Sequence, residues 1–263
     1  FVWTSQGPKR ILQRFRHEYD GELVSVRVRG HLPVRCTPNH EFLTRRGWQR
    51  ADHLQPYDQI RLPLETGTRD IQAIDILEAL RHVSLQIYGE RIQGVEETEG
   101  GLIRWKSGKK RVPRYLPMTS AFMRLVGLYL AEGSISYSKT RPNAGTLAWH
   151  LGPHERVLAE ETVRLLHEVL GATPTLALTK TQRQLSLGHG IYARLFDALF
   201  GRGASGKRLP IEWLSLPDDL LVSLVQGYLD GDGHWREDSR PRRKPGWTTS
   251  SVSEYLSTVT RKG

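Results

Sequence analysis

The chain has 263 residues, of which 38% are hydrophobic and 25% charged, a composition that excludes an intrinsically disordered protein and allows one large domain or two ordinary ones. No stretch approaches the roughly 20 apolar residues that a membrane span requires, and residues 1–16 show no secretory signal. Lys and Arg number 38 against 28 acidic residues, so the net charge of +10 predicts a polyanionic partner, with nucleic acid favoured over a membrane.

Cysteine usage bears on the compartment. Cys36 is the only cysteine, which excludes an internal disulfide and is typical of a reducing compartment. We therefore expect a cytoplasmic protein.

Residues 1–63 are predicted to be all-β. Apolar residues alternate with others between Gly21 and Gly30. The predicted strands are residues 23–28, 36–44, 47–48 and 59–62. Cys36 lies inside one of these strands, so we expect its side chain in the core.

Residues 64–117 are predicted to connect two larger parts. Ile71, Ile74, Leu77 and Leu80 are spaced like one helix face, which predicts a helix near 70–83. A basic run follows, with Trp105 and Tyr115 among its charges, and Gly108 and Pro113 favour a surface loop or hairpin. Its basic residues are Arg104, Lys106, Lys109, Lys110, Arg111 and Arg114. They are predicted either to contact nucleic acid or to form a solvated hairpin tip.

From Thr119 onward, helical and extended patterns alternate. Helices are predicted over about 120–131, 154–170, 192–200, 217–229 and 252–258, and strands over about 146–151, 174–179, 183–188 and 247–251. Ser120 is the expected N-cap of the first of these helices, and Gly171 ends the second. The predicted fold class is therefore α+β.

Two nonapeptides, 125–133 and 225–233, repeat one pattern at an offset of 100 residues. Gly127 and Ala131 are four residues apart on the first helix, as are Gly227 and Gly231 on the second. Small residues at this spacing let two helix backbones approach closely. Because a helix-interior glycine costs about 1 kcal/mol relative to alanine, the pairs predict that these two helices pack side by side.

Each of these helices places a carboxylate in its last turn, Glu132 and Asp232, and a glycine follows. The negative end of the helix dipole and the neighbouring acid both disfavour such a charge. A divalent cation between the two carboxylates would remove both penalties, so we expect a Mg²⁺ site suited to phosphodiester hydrolysis. The alternative is that both are ordinary exposed acids at helix ends.

Both nonapeptides resemble the LAGLIDADG (DOD-type) motif of homing endonucleases, whose eighth residue is the metal-binding acid. That position is Glu132 in the first copy and Asp232 in the second; the sixth, usually acidic, is Leu130 in the first copy and Asp230 in the second. The segment 207–210 resembles the K-x-I-P element that precedes the second motif, and the resemblance makes Lys207 an active-site lysine; the alternative is a solvated surface lysine.

The resemblance implies a metal-dependent, site-specific endonuclease of double-stranded DNA over residues 118–263. Its αββαββα repeats would occupy about 119–216 and, incompletely, the residues from about 217. A second basic run is predicted to flank the acids and to contact DNA, together with the run in 104–114. Its residues are Arg236, Arg240, Arg242, Arg243 and Lys244.

The segment from Thr37 to Ile60 resembles a second family. Thr37 and His40 stand as in the T-x-x-H block of Hint domains, which form the splicing part of inteins. The further matches are Phe42, Leu43, Thr44, Gly47, Trp48, Ala51, Leu54, Asp58 and Ile60. The resemblance implies that Thr37 and His40 polarise the scissile peptide bond in autocatalytic protein splicing, and a neutral histidine can donate to a departing amide nitrogen.

These resemblances predict a Hint portion at 1–63, a linker or DNA-recognition region at 64–117 and an endonuclease at 118–263. The first residues lack the Cys or Ser nucleophile of an intein and the last lack its His-Asn pair. We therefore expect a monomeric intein fragment, inactive alone, whose parent acts on double-stranded DNA and on host-protein exteins. The alternatives are a degenerate LAGLIDADG protein that binds DNA without cutting it and a different Hint autoprocessing domain.

Overall fold

The computed structural model divides the chain into two compact units, one within residues 1–67 and one within 68–257. The residues that it describes are 2–4, 7–9, 13, 15, 17–28, 33–61, 70–87, 94–106, 108–141, 144–236, 246–249, 251–253 and 256. The predicted linker region therefore belongs, from residue 68 onward, to the second unit.

The first unit is built from short antiparallel hairpins, as its alternating pattern predicts. Its strands are β1 (Val2–Thr4), β2 (Gly7–Lys9), β3 (Val24–Val26), β4 (Val34–Cys36), β5 (Glu41–Thr44) and β6 (Gly47–Arg50). They pair as β1–β2, β3–β4 and β5–β6. The predicted strand at 59–62 is reduced to a single bridge between Thr44 and Ile60. Cys36 is half-buried rather than in the core.

The second unit opens with β7 (Ala73–Asp75), which leads directly into α1 (Ile76–Ile87). The helix predicted near 70–83 therefore begins late, because Ile74 pairs with Leu116 of β11 (Tyr115–Pro117). A three-stranded antiparallel sheet lies between these elements in sequence, in the spatial order β10-β9-β8. Its strands are β8 (Val95–Thr98), β9 (Leu102–Trp105) and β10 (Arg111–Pro113).

The basic run forms the hairpin of β9 and β10, in agreement with the predicted loop or hairpin. Its apolar residues face the core, since Ile103 is fully buried and Trp105 and Val112 are nearly so. The indole of Trp105 is thus part of the core, whereas Tyr115 is 54% exposed.

Seven elements then follow in the order α–β–β–α–β–β–α. They are α2 (Ser120–Glu132), β12 (Gly133–Tyr137), β13 (Gly145–Leu151), α3 (Arg156–Leu170), β14 (Thr175–Leu178), β15 (Arg183–Gly188) and α4 (Gly190–Phe200). Thr119, not Ser120, caps α2, because its hydroxyl accepts a hydrogen bond from the amide of Phe122 at 3.1 Å. The strands form one antiparallel sheet in the order β12-β13-β15-β14.

A second helix and hairpin repeat the start of this series. They are α5 (Asp218–Asp232), β16 (Gly233–Arg236) and β17 (Gly246–Thr249). The strand registers match at the 100-residue offset, since Gly133 pairs with Trp149 and Gly233 pairs with Thr249. Helix α5 runs three residues past its predicted end at 229, and the helix predicted at 252–258 lies largely outside the described residues. The described residues hold five α-helices and small antiparallel sheets, a mixed α+β fold.

Helices α2 and α5 pack at backbone contact. A Cβ atom on Gly127 would overlap the carbonyl oxygen of Leu224, and a Cβ on Gly227 would overlap the carbonyl oxygen of Arg124. Only glycine fits at either position without moving one helix. The side-by-side packing predicted from the repeated glycines is therefore present.

The outer faces of the two helices differ. In α2, Phe122 and Leu125 are fully buried beneath the four-stranded sheet and α4. Their equivalents in α5, Val222 and Val225, are 52% and 48% exposed. In the described part of the chain, α2 is followed by the four-stranded sheet, whereas α5 is followed only by the two-stranded β16–β17 hairpin.

We expect Gly127→Ala to lower the free energy of unfolding by about 1 to 3 kcal/mol, because the added methyl group forces the α2 and α5 backbones apart. Denaturant unfolding of the purified chain measures this loss. The control is Gly188→Ala at the end of β15, where no heavy atom lies within 4 Å of the added Cβ, and we expect a change within about 0.5 kcal/mol. Alanine favours a helix over glycine by about 1 kcal/mol. An increase of that size in the free energy of unfolding of Gly127→Ala would contradict the close approach of the two helices.

Candidate functional site

Glu132 and Asp232 end the two packed helices, so the glycine contact brings both acids to one place. A Cβ on Gly231 would lie 2.5 Å from the Cβ of Ala131 and 3.3 Å from the Cγ of Glu132. Position 231 therefore has no room for a side chain against the last turn of α2.

The surroundings of the two acids disfavour their negative charges. Burial raises the pKa of Glu132 to about 7, and the charges of Glu155 and Asp232 add to the rise. Burial also raises the pKa of Asp232. Two influences oppose that second rise, the ammonium group of Lys207 and a hydrogen bond from Tyr228.

Lys207 is buried beside the acids, with 7% of its surface exposed, so it is not a solvated surface lysine. Its ammonium group donates a 3.0 Å hydrogen bond to the carbonyl oxygen of Ala131, the residue before Glu132. Burial lowers its pKa to about 8, although both acids favour its charged form. The hydroxyl of Ser253 donates to the Lys207 carbonyl at 2.6 Å and fixes the backbone there.

A cavity of about 290 Å³ adjoins these groups. Its lining residues come from the ends of both helices, from the segment before Lys207 and from the chain that follows β17. They are Leu130, Ala131, Ala204, Lys207, Tyr228, Asp232, Ser251 and Val252. The carboxylate of Asp232 and the ammonium group of Lys207 therefore line the cavity, and the carboxylate of Glu132 lies beside them.

The donor set fits Mg²⁺ in its usual mode in phosphoryl chemistry. Mg²⁺ is commonly held by one or two carboxylates, and water and substrate phosphate oxygens complete its coordination. Glu132 and Asp232 supply two such carboxylates, and burial, which raises both pKa values, disfavours negative charges that a cation would compensate. The described residues include no group of three His, Cys, Asp or Glu side chains able to hold an ion alone.

The basic residues predicted to contact DNA have different surroundings. Arg104 pairs with Glu96 at 2.8 Å, and Arg114 pairs with Asp75 at 2.6 Å and with Glu97 at 2.8 Å. These two arginines therefore hold the hairpin to its neighbours. Lys110 donates to the carbonyl oxygen of Gly188 at 2.9 Å but remains exposed. The other exposed cations of this run are Lys106, Lys109 and Arg111.

The second predicted basic run falls almost entirely outside the described residues. Arg236 is described only in its backbone, at the end of β16. The residues outside the description are Arg240, Arg242, Arg243 and Lys244.

The four-stranded sheet has a polar face that the sequence analysis missed. Leu147, Trp149 and Leu151 of β13 are buried, while the alternating side chains face away from the helices. The polar residues of that face are Ser134, Ser136, Thr146, His150, Gln184 and Ser186. Some are linked, since the Ser134 hydroxyl lies 2.9 Å from Nε2 of His150. The period-two alternation of apolar and polar residues in β13 and β15 carries the signal for this face.

In the first unit, Thr37 and His40 lie at the two ends of one tight turn between β4 and β5. The amide of His40 donates to the carbonyl oxygen of Thr37 at 3.0 Å, and the amide of Ala51 donates to the carbonyl oxygen of His40 at 2.7 Å. The imidazole is exposed, with its ring centre 5.3 Å from that of Phe42. The His40 side chain is therefore accessible to solvent.

Similar proteins come from several archaea, and no protein-family profile matches the chain. The chain is 23% identical, over 94% of its residues, to 23% of the ATP-dependent DNA helicase Hel308 of Thermococcus kodakarensis. It is 25% identical, over 95% of its residues, to 24% of a probable translation initiation factor IF-2 of that organism. It is 22% identical, over 94% of its residues, to 27% of the DNA-directed RNA polymerase subunit Rpo1C of Methanocaldococcus jannaschii. The chain thus spans about a quarter of the length of these relatives.

The length and hydropathy of the helices bear on whether the chain could cross a membrane. Within the described ranges, no helix combines the length and apolar character needed to cross a bilayer.

We expect Glu132→Gln to stabilise the metal-free chain above neutral pH. Because the pKa of Glu132 is about 7 in the folded chain and ordinarily 4.5, folding takes up a proton between these values. Ionisation of Glu132 therefore removes stability as the pH rises through this interval, and glutamine avoids that loss. Discounted for solvent screening, the gain should be about 1 to 2 kcal/mol above about pH 7.5 and near zero below about pH 4.

Denaturant unfolding at several pH values, with a chelator present, measures this difference. Glu168→Gln replaces an exposed acid of α3 and should show no pH-dependent gain. An equal effect of Glu132→Gln at all pH values would show that its charge is not destabilising.

Proposed function

We propose that the chain is a segment of an intein in which a Hint splicing portion is joined to a site-specific, LAGLIDADG-type endonuclease of double-stranded DNA. The observation that carries the proposal is the backbone contact of α2 and α5 at Gly127 and Gly227. It brings the acids Glu132 and Asp232 together beside the buried Lys207. The α–β–β–α–β–β–α order from α2 to α4 agrees with the repeat of that endonuclease class.

The relatives support an inserted element. By name they are a helicase, an initiation factor and an RNA polymerase subunit, yet each aligns with at least 94% of the chain over about a quarter of its own length. Proteins with such different names have little reason to share one catalytic segment of their own. An element that inserts into unrelated host proteins and is removed by splicing accounts for this distribution.

In the proposed reaction, the chain holds and orients the DNA at the paired acids. Bound Mg²⁺ would supply Lewis-acid stabilisation of phosphate charge and lower the pKa of a bound water. Glu132 and Asp232 would hold it, and the Lys207 ammonium group would offset charge that develops on the phosphate. The polar face of the sheet suits hydrogen bonding to base edges, and the exposed cations of the β9–β10 hairpin suit contacts with phosphates.

The same proposal assigns splicing to the turn between β4 and β5. The imidazole N–H of His40 can donate a hydrogen bond to a departing amide nitrogen. Thr37 lies at the other end of the turn, where its hydroxyl can help polarise the scissile carbonyl.

Cleavage is favoured over DNA binding without cleavage by one feature of the site. A half-buried Glu132 and a buried Lys207 next to Asp232 cost stability, and no step of DNA binding by a polar sheet requires that cluster. Metal-assisted hydrolysis requires the carboxylates, which accounts for their presence.

We expect the intact gene product that contains this chain to linearise, with Mg²⁺, a plasmid carrying its host gene without the insert. Glu132→Gln or Asp232→Asn should each slow the reaction by about 100-fold or more, since losing even an outer partner of a metal ligand costs 10- to 100-fold. Asp219→Asn changes an exposed acid in the first turn of α5 and should leave the rate within about twofold. Tight binding of the plasmid without cleavage would favour the degenerate DNA-binding protein.

We expect His40→Ala to slow splicing of the intact gene product by about 100-fold or more, the usual contribution of a positioned acid or base. Gel analysis of precursor and ligated host protein over time measures this. His53→Ala removes another exposed imidazole of the first unit and serves as the control. Equal splicing of the two variants would refute the assignment of His40.

A further inference from the structure

Tyr228 lies one helical turn before Asp232 in α5 and is 5% exposed. Its hydroxyl lies close to the Asp232 carboxylate and to the hydroxyls of Thr249 and Ser251, and it can hydrogen-bond with all three. Tyr228, Asp232 and Ser251 line the same cavity. Since a carboxylate only accepts, the tyrosine donates its proton to Asp232 and accepts from the two hydroxyls.

The backbone of Tyr228 lies where α2 and α5 touch. A Cβ on Gly127 would lie 2.7 Å from the amide nitrogen of Tyr228, so its backbone presses against α2. On its other side, the hydroxyl is bound to residues in and just after β17. The Asp232 carboxylate is thereby tied to both the helix pair and the strand.

The first copy of the repeat has no equivalent device. Leu128 stands at the position of Tyr228 and is fully buried, and Trp149 stands at the position of Thr249. Leu128 has no polar group, and among the described residues the indole N–H of Trp149 has no hydrogen-bond partner, so neither side chain bonds the Glu132 carboxylate. The two acids are therefore held by different means.

We propose that Tyr228 is a positioning residue that fixes the Asp232 carboxylate for a divalent cation shared with Glu132, an inference that rests on the proposed function. A donor bound to one carboxylate oxygen restricts the side-chain rotamer and leaves the other oxygen free for the ion. Glu132, with no such donor from its own half, adapts to the cation that Asp232 anchors.

Binding of Mn²⁺ to the purified chain without DNA, measured by calorimetry, tests this. Tyr228→Phe should weaken Mn²⁺ binding by about 10-fold or more, the usual effect of losing an outer partner of a ligand. In the Asp232→Asn background the same substitution should have almost no further effect, because Tyr228 acts through Asp232. In the Glu132→Gln background it should retain a clear effect.

The matched control is Tyr192→Phe. Tyr192 is buried in α4, and its hydroxyl donates to the carbonyl oxygen of Leu170 at 2.9 Å, so the variant loses a buried phenol bond that does not involve either acid. Both variants should lose a similar free energy of unfolding, about 1 kcal/mol, but only Tyr228→Phe should lose Mn²⁺ affinity. Thr249→Val removes one donor to the phenol and should weaken Mn²⁺ binding by a smaller factor.

The outcomes distinguish a failure of the proposed metal site from a failure of the role assigned to Tyr228. If the unaltered chain fails to bind Mn²⁺, the proposed metal site is wrong, and the role of Tyr228 with it. If it binds Mn²⁺ and both acid variants bind it more weakly, yet Tyr228→Phe binds as tightly as Tyr192→Phe, the positioning role alone is overturned.

Discussion

The contact between α2 and α5 is the constraint on which the site depends. With no side chain at Gly127 or Gly227, the two backbones touch, and the helix ends arrive together. Arg124 reinforces the contact from outside, because its guanidinium bonds Glu161 of α3 at 2.8 Å and Asp230 of α5 at 2.6 Å. Loss of the glycine contact would separate the acids, whatever the quality of the surrounding core.

The same contact creates an electrostatic cost that the fold alone does not need. Two carboxylates lie at the negative ends of helices, partly out of water and near each other, and a lysine is buried beside them. Strained or charged arrangements of this kind persist where a ligand compensates them. The surrounding core, with Tyr129 and Phe196 ring centres 5.1 Å apart, supplies the stability that such a site lowers.

The two copies of the repeat have the same backbone arrangement but different side chains near their acids. Their strand registers agree, yet the sixth motif position is Leu130 in one copy and Asp230, held by Arg124, in the other. The phenol of Tyr228 has only a leucine as its counterpart. The two copies thus agree in helix packing and strand register, and their side-chain differences make the two acids distinct.

The sequence by itself determined the helices α2 to α5, the strands β13, β14 and β15, the close packing of the repeated helices and the meeting of Glu132 and Asp232, but it did not indicate β7, β12 or β16. Apolar periodicity and glycine spacing can be read within short stretches of sequence. The repeat at a 100-residue offset indicates which two segments have similar structures. Only the tertiary structure decided that Trp105 is core, that Arg114 serves Asp75 rather than an open surface, and that Tyr228 bonds Asp232. Such pairings depend on which distant strands lie side by side and in what register, and no local pattern in the chain encodes that.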